Sequence, residues 1–276
     1  MDKAAVDPDS TRSSVSSGGG NGRPAREVGV LVLFDVDGTL LLSGGAGRSA
    51  LKTALEAVYS AAGPVESYDF HGKTDPQIVV ELLSAIGRNP ADIRERLPTL
   101  WPVYLAALKE ELGRRVREGL AMALPGVGDL LAGLEGTRGV SLGLLTGNIA
   151  PAAELKLAAA GVEARFEFGG YGSDSESRNE IARIAVERAR ALDGRWGEAH
   201  TVVIGDTPRD VEAARAISAR AVMVATGRHS TGDLAAAGAD VVFEDFGETE
   251  AVLSCLLGGN GSAPGAGASG GEGPGA

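Results

Sequence analysis

The sequence has little of several features that mark particular classes of protein. A single cysteine, Cys255, among 276 residues excludes an internal disulfide framework and a zinc site built on several thiolates. No apolar run approaches the roughly 20 residues of a membrane-spanning helix, and the start of the chain lacks the apolar core of a secretory signal. Positive charge is scarce too, with 26 Lys and Arg against 37 Asp and Glu and a net charge of −11. We therefore expect a cytoplasmic protein that binds neither nucleic acid nor an anionic membrane.

The two ends of the chain have few large side chains. Residues 1–26 are rich in Ser and Gly, and residues 258–276 hold nine glycines among Ala, Ser and Pro. Such segments cannot offset their ordering entropy by burial, so we predict two disordered tails. The intervening residues carry enough of the 43% hydrophobic content to build a packed core.

Between these ends, short apolar runs alternate with helical patterns. The runs predict strands at Val28–Phe34, Ser141–Leu145, Arg165–Phe168, Thr201–Ile204, Ala221–Ala225 and Val241–Phe243. Helical spacing and glycine or proline signals predict helices at Pro151–Ala160, Arg178–Leu192 and Pro208–Ile217. The alternation predicts an α/β fold with a doubly wound, mainly parallel, Rossmann-like sheet.

Residues 44–122 break this alternation, because they show helical patterns only. We predict an α-helical cap domain here, inserted into a core domain made of residues 27–43 and 123–257. The alternative is an ordinary helical decoration. Within the insert, Asp75 with Pro76 predicts a helix N-terminus, and Pro90 and Pro98 are expected to separate later helices. An apolar stripe is predicted at Leu105, Leu108 and Leu112.

The strongest chemical signal is a pair of carboxylates, Asp35 and Asp37, at the end of the first predicted strand. Two residues apart on a continuing strand, they share one face. Gly38 then lets the chain turn sharply. Close carboxylates repel each other and need a cation or a shared proton, and Mg²⁺ prefers such oxygen ligands. The alternative is an Asp-rich turn without chemistry.

Two further polar segments follow predicted strands. Thr146, Gly147 and Asn148 precede a predicted helix whose free amides could hold a phosphate. Asp206 and Asp210 flank the start of another helix, where Asp206 could bind a metal or simply cap the helix. In an open parallel sheet, ligands bind beyond the carboxyl ends of the strands, so the three segments are expected to meet.

Together these segments resemble the haloacid dehalogenase-like hydrolase superfamily, and more closely its phosphoglycolate phosphatase-like branch with a helical cap. The resemblance is carried by the Asp35-Val-Asp-Gly-Thr, Leu145-Thr-Gly-Asn and Gly205-Asp-Thr-Pro-Arg-Asp segments and covers most of residues 27–257. It implies a phosphoric monoester hydrolase with a cap between the first and second segments, where the insert lies here.

The resemblance also implies roles for individual residues. Asp35 would be the nucleophile that forms an aspartyl-phosphate, and Asp37 would protonate the leaving alcohol and then activate water. Mg²⁺ would be held by Asp35, the backbone carbonyl of Asp37 and Asp206, with Asp210 supporting these ligands. Thr146 and its neighbours Gly147 and Asn148 would hold the phosphoryl oxygens.

The sequence departs from the family in one respect, since the lysine usual between the second and fourth segments is missing. Arg178 is our candidate for that role, because arginine keeps the charge and binds phosphate or carboxylate with two donors. Arg183 is a weaker rival, and a solvated charge at the start of a helix is the alternative for Arg178. Lys156 is mid-helix and is expected to face solvent.

In the insert, Lys73 and Thr74 follow a flexible glycine and precede a helix, so they are candidate substrate contacts. The alternative is that Thr74 or Asp75 caps the helix and Lys73 is solvated. The glycine-rich segment from Gly44 to Gly47 favours a hinge, because it lacks the Lys-Ser/Thr ending of a nucleotide loop.

The leading hypothesis is therefore a Mg²⁺-dependent phosphatase that acts on a small phosphorylated metabolite. A phosphomutase and a non-enzymatic acidic module that binds metal or phosphate remain alternatives. Cys255 is expected to be buried and inert. The sequence gives no prediction of the oligomeric state or of the particular substrate.

Overall fold

The computed structural model describes residues 29–194, 196 and 200–258. Both predicted tails lie outside the described residues, apart from Gly258, and so does Val28 of the first predicted strand. The strands are β1 Val30–Phe34, β2 Leu41–Leu42, β3 Met122–Ala123, β4 Val140–Leu145, β5 Phe168–Gly170, β6 His200–Gly205, β7 Arg220–Val224 and β8 Val241–Phe243. The helices are α1 Ala46–Tyr59, α2 Asp75–Ser84, α3 Pro90–Arg117, α4 Val127–Glu135, α5 Ala150–Ala159, α6 Arg178–Leu192, α7 Pro208–Ala216, α8 Thr231–Ala236 and α9 Thr249–Leu257.

The main sheet has six strands in the order β5-β4-β1-β6-β7-β8, and every neighbouring pair is parallel. The central strand β1 is apolar along its whole length, as expected for a strand that is covered on both faces. Helices α4, α5 and α9 pack on one face, and α6, α7 and α8 pack on the other. The predicted doubly wound, Rossmann-like α/β fold is confirmed.

One predicted strand is misplaced. The run Arg165–Phe168 was expected to form a strand, whereas β5 begins at Phe168 and continues through two glycines. This edge strand pairs on one side only, with Gly143–Leu145. A Cβ on Gly170 would lie 2.2 Å from the carbonyl of Ile181, so close packing against α6 selects glycine there. The strand therefore lacks the apolar pattern that marks the others.

Helices α1, α2 and α3 form a block around an apolar cluster that includes Leu51, Leu55, Leu82 and Leu108. Ile149 and Ala152 at the start of α5 belong to the same cluster. The prediction that Pro98 separates two helices is wrong, since α3 continues through Pro98 and Pro102. Burial of one side of α3 against α1 outweighs the local cost of proline. The predicted stripe also shifts, because the buried residues of α3 are Ile93, Leu100, Tyr104, Leu108 and Leu112, while Leu105 is partly exposed.

The start of α2 differs from the prediction by one residue. Thr74 is the N-cap and its hydroxyl accepts from the amide of Gln77, so Asp75 lies within the first turn. Helix α7 begins at the capping box of Thr207 and Asp210.

The chain enters and leaves this block side by side. Strands β2 and β3 pair antiparallel, with Leu41 opposite Ala123. Gly44 and Gly45 follow with φ angles of 58° and 81°, a conformation that favours glycine. These contacts are compatible with a hinge, and the cap limits 44–122 stay a prediction.

Among the described helices, none has both the length and the apolar character needed to cross a membrane.

Cys255 is only partly buried, because it lies on the terminal helix α9, so the expectation that it is buried is wrong. Burial raises the pKa of its thiol despite the nearby Arg220, which is consistent with low reactivity.

Candidate active site

The sheet order brings the three polar segments together. Strands β4, β1 and β6 are neighbours, so Thr146, Asp35 and Asp206 follow adjacent carboxyl ends. These residues line a cavity of about 600 Å³ whose other walls come from the helical block, including Gly47, Lys73 and Tyr104. The predicted convergence of the segments is therefore present in the fold.

Arg178 lies at the centre of the acidic residues. It is buried, its Nη2 lies 2.9 Å from Oδ1 of Asp35, and it also donates to Asp210 and to the carbonyl of Leu145. Its Nη1 has no acceptor among the residues that the structure describes, and Arg178 lines the cavity. The neighbouring carboxylates raise the pKa of its guanidinium against the effect of burial, so it is charged at any ordinary pH. The alternative of a solvated helix-start charge is wrong.

Carboxylate oxygens of Asp35, Asp206 and Asp210 lie within 4.8 Å of one another. Burial raises the pKa of Asp35 to about 6, although Arg178 opposes this effect. Burial and then the charge of Asp35 raise the pKa of Asp206 well above its usual range. Carboxylates this close together in a buried site repel one another, so the site favours an additional cation.

The carboxylate oxygens of these residues differ in the number of hydrogen bonds that they accept from the protein. Asp210 accepts from Arg178 with one oxygen and from the amide and hydroxyl of Thr207 with the other. Asp206 accepts one long hydrogen bond, 3.3 Å from the Thr39 hydroxyl. The carbonyl of Asp37 accepts no hydrogen bond within the described chain. Asp35, Asp206 and this carbonyl therefore fit a hard cation, with Asp210 behind them.

Lys156 is the main residue that the sequence analysis missed. It was expected to face solvent, but it is buried, and its Nζ lies 2.5 Å from Oδ2 of Asp37 and 2.6 Å from Oδ1 of Asn148. Burial raises the pKa of Asp37, but Lys156, Asn148 and Ser43 outweigh this effect and hold the pKa below its usual value. A signal was present, because Lys156 follows the buried Ala152 and Ala153 at helical spacing.

The side chains of Thr146 and Asn148 are hydrogen-bonded to each other. The side-chain amide of Asn148 donates to Thr146 Oγ1 at 2.9 Å and to Asp37 Oδ2 at 2.8 Å. The Thr146 hydroxyl itself donates to no acceptor in the described part of the chain. Its proton is therefore available to a ligand in the cavity, while the side chain of Asn148 is occupied.

The helix amides after these residues are not free, contrary to the expectation of an open phosphate cradle. The Ile149 amide donates to Oδ2 of Asp75 at 2.8 Å, and the Ala150 amide donates to the Ser173 hydroxyl. Asp75 in turn donates its own amide to the carbonyl of Gly147 at 2.7 Å. The first turn of α2 thus caps the start of α5 by direct contact, and burial raises the pKa of Asp75 to about 6.

The two candidate contacts from the insert have different positions. Lys73 lines the cavity, but it is not solvated, since its Nζ lies 2.7 Å from Glu81 and 2.8 Å from the Tyr68 hydroxyl. Thr74 is fully buried outside the cavity lining, caps α2 and donates to the carbonyl of Glu176. The structure therefore gives Thr74 a structural position, contrary to its expected substrate contact.

Comparisons with known proteins identify the family of the chain. A family profile described as haloacid dehalogenase-like hydrolase matches residues 32–215. A phosphoglycolate phosphatase of Synechococcus elongatus is 32% identical over 215 residues, or 77% of this chain and 92% of that protein. A probable phosphatase of Dickeya dadantii, IndB, is 28% identical over 231 residues, or 82% of this chain and 94% of that protein.

The fold is shared with CbbY from Rhodobacter sphaeroides, solved in complex with phosphate. The TM-score is 0.58 at 20% identity, over 80% of this chain and 96% of that one. The names of both curated relatives agree with the predicted class of enzyme, a phosphoric monoester hydrolase. The chain belongs to the haloacid dehalogenase-like hydrolase family, as its three polar segments predict.

Proposed function

We propose that this protein is a Mg²⁺-dependent phosphatase that hydrolyses a small phosphomonoester through an aspartyl-phosphate on Asp35. The observation that carries the proposal is the position of the Asp35 carboxylate, which lines the cavity beside the charged Arg178. The cavity volume of about 600 Å³ suits a small metabolite. The phosphatase names of the curated relatives support the same reaction.

The metal would be held by Asp35, Asp206 and the carbonyl of Asp37. When bound, Mg²⁺ supplies positive charge that offsets the carboxylates and the charge of the transferred phosphoryl group. Asp210 would keep Arg178 and the loop after β6 in place, as its four contacts with Arg178 and Thr207 indicate.

In the first step, an oxygen of Asp35 attacks phosphorus and the bond to the leaving oxygen breaks. Asp37 gives its proton to that oxygen, so that an alcohol leaves. The pKa of Asp37 lies below its usual value before substrate binds. A phosphate dianion beside it raises its proton affinity, because like charges disfavour ionisation, so Asp37 takes up a proton from solvent as the substrate binds. Nη1 of Arg178 and the Thr146 hydroxyl, which donate to no described residue, would donate to the phosphoryl oxygens.

In the second step, water attacks the aspartyl-phosphate and Asp37 takes the proton of that water. The bond between phosphorus and Asp35 breaks, which restores the carboxylate and releases phosphate. Lys156 and Asn148 favour the ionised form of Asp37 that this step needs.

The test is phosphate release from a panel of small phosphomonoesters, with and without Mg²⁺. We expect Mg²⁺-dependent turnover by the wild type and none by Asp35→Asn, which keeps the shape of the side chain. Asp129→Asn is the matched control, because Asp129 is an exposed residue of α4. No release from any ester by folded wild type with Mg²⁺ would contradict the proposal, and conversion of a phosphosugar to its isomer would indicate a phosphomutase.

A further inference from the structure

The helical block presents one polar group to the cavity that the proposed reaction leaves unexplained. Tyr104 of α3 is 1% exposed and lines the cavity, yet its hydroxyl has no hydrogen-bond partner among the described residues. Its ring packs against Trp101, which explains why an aromatic ring is buried here but not why the ring carries a hydroxyl. By contrast, the buried Tyr59 of the same block donates to the carbonyl of Ile93 at 2.9 Å. Because Tyr104 lines the cavity, a hydroxyl that bonds to no described residue is available to a ligand there.

A second donor faces the same small space. A Cβ placed on Gly47 would lie 3.5 Å from Nζ of Lys156 and 3.8 Å from the Tyr104 hydroxyl. Both polar atoms therefore face the side of Gly47 that carries no side chain, which keeps the space in front of them open. Nζ of Lys156 has three protons, and the described residues accept two of them, at Asp37 and Asn148. One proton of Lys156 and the Tyr104 hydroxyl are thus available to a ligand.

The charges around this space favour an uncharged ligand group. Lys156 is already paired with Asp37. Asp75 and Asp37 are both close enough to Tyr104 to act on it electrostatically. A carboxylate placed here would meet two carboxylates and a single ammonium group, which disfavours it. A hydroxyl accepts from the two donors without adding charge.

We propose that Gly47, Tyr104 and Lys156 form a subsite for an uncharged hydroxyl of the substrate's leaving group. The inference rests on the proposed phosphatase function and narrows its substrates to phosphomonoesters of hydroxylated alcohols, such as polyol or sugar phosphates. The phosphoryl group binds at Asp35, and the hydroxyl binds at the helical block.

The experiment compares glycerol 1-phosphate with propyl phosphate, which share a three-carbon chain but differ in hydroxyl groups. We expect the wild type to show a higher kcat/KM for glycerol 1-phosphate. Tyr104→Phe removes only the unpaired hydroxyl, so the protein keeps its fold and the ratio of the two kcat/KM values falls about fivefold, the loss expected for one uncharged hydrogen bond. Tyr59→Phe is the matched control, because it removes a buried hydroxyl of the same block away from the cavity lining and leaves the ratio unchanged.

Gly47→Ala tests the subsite by filling it with a methyl group, whereas Tyr104→Phe removes one of its donors. The new methyl group makes ordinary contacts and favours helix α1, so the variant folds at least as stably as the wild type. It occupies the room for the hydroxyl, and we expect the same ratio to fall by about fivefold or more.

The outcomes separate the two proposals. If the wild type releases phosphate but neither Tyr104→Phe nor Gly47→Ala changes the ratio, the subsite is overturned and the phosphatase stands. If the wild type releases phosphate from no ester, the proposed function fails and the subsite fails with it. Phosphoglycolate is the comparison substrate with a charged leaving group. If Tyr104→Phe lowers kcat/KM more for phosphoglycolate than for glycerol 1-phosphate, the proposal that the subsite binds an uncharged hydroxyl is wrong.

Discussion

Nζ of Lys156 lies 2.5 Å from Oδ2 of Asp37, and this contact joins helix α5 to the turn after β1. The same ammonium group donates to Asn148 at 2.6 Å, and Asn148 donates to Asp37 at 2.8 Å. Each of the three side chains therefore holds the other two. The Asp37 carboxylate, which the proposed mechanism uses twice, has a fixed position before any substrate arrives.

Replacing Lys156 by Met is expected to lower kcat by about 10–100-fold, because a misplaced Asp37 loses its alignment with the leaving oxygen. With propyl phosphate, which has no hydroxyl for the proposed subsite, KM should change less than kcat, since Asp37 acts on a proton rather than on substrate binding. The free energy of unfolding should fall by about 2 kcal/mol with the loss of the charged hydrogen bonds. Lys109→Met, on an exposed position of α3, is the control for steady-state kinetics and urea unfolding. Equal activity of the two variants would contradict the positioning role.

Replacing Arg178 by Lys is expected to keep measurable phosphatase activity, because the positive charge beside Asp35 remains. Arg178→Met should abolish activity and lower the free energy of unfolding by about 3–5 kcal/mol, since it leaves buried carboxylates unpaired. The control is Arg183→Met on the exposed side of α6, which also tests the weaker rival. The assignment of Arg178 is wrong if Arg183→Met is the inactive variant and Arg178→Met is active.

Replacing Asp75 by Asn is expected to change how stability depends on pH. The pKa of Asp75 rises from 3.8 to about 6 on folding, so the folded state binds the proton more tightly. Ionisation of Asp75 therefore weakens folding progressively as pH rises from about 4 to about 6, and the full cost is present above that window. Asp75→Asn should exceed the wild type by about 1–2 kcal/mol at pH 7.5 and lose this advantage near pH 4.

Urea unfolding at several pH values measures this difference, with the exposed Glu95→Gln as the control. A difference between Asp75→Asn and the wild type that stays constant from pH 4 to 7.5 would count against a raised pKa for Asp75.

Replacing Gly147 by Ala is expected to separate the loop after β4 from the helical block. The new Cβ would lie 2.2 Å from the carbonyl of Lys73, so the backbone must move. We expect a loss of about 2 kcal/mol in the free energy of unfolding. Gly128→Ala of α4 is the matched control, because no atom lies within 4 Å of its Cβ, and it should stabilise the protein by up to about 1 kcal/mol. Similar thermal unfolding of both variants would show that the contact is not tight.

The parts of the fold that the sequence could predict are those with a local cause. A strand covered on both faces needs a continuous apolar run, and Val30–Phe34 and residues 221–224 of β7 show one. The edge strand β5 is buried too, but two of its three residues are glycines because α6 packs closely against it, so no apolar run marks its position. Pro98 was expected to end a helix because its cost is local, whereas the burial of α3 that outweighs it depends on α1.

The candidate site shows the same limit. Asp35 and Asp37 were identifiable because two carboxylates at a strand end have few structural reasons to be there. Lys156 was not identified, because an isolated lysine on a helix is usually solvated and its partner lies 119 residues away. The link from Asp75 to the Ile149 amide joins residues 74 positions apart, and no sequence pattern records such a pairing.

That link bears on how the protein can be re-engineered. The carboxylate of Asp75 completes the N-terminus of α5, although Asp75 comes from the block and α5 comes from the core. A chimera that exchanges residues 44–122 for another helical insert therefore has to supply an acceptor at the position of Asp75. Without one, the Ile149 amide would be left unpaired beside the residues proposed to hold phosphate. The first turn of α2 and the start of α5 thus depend on each other, and an exchange of the helical block has to preserve this contact.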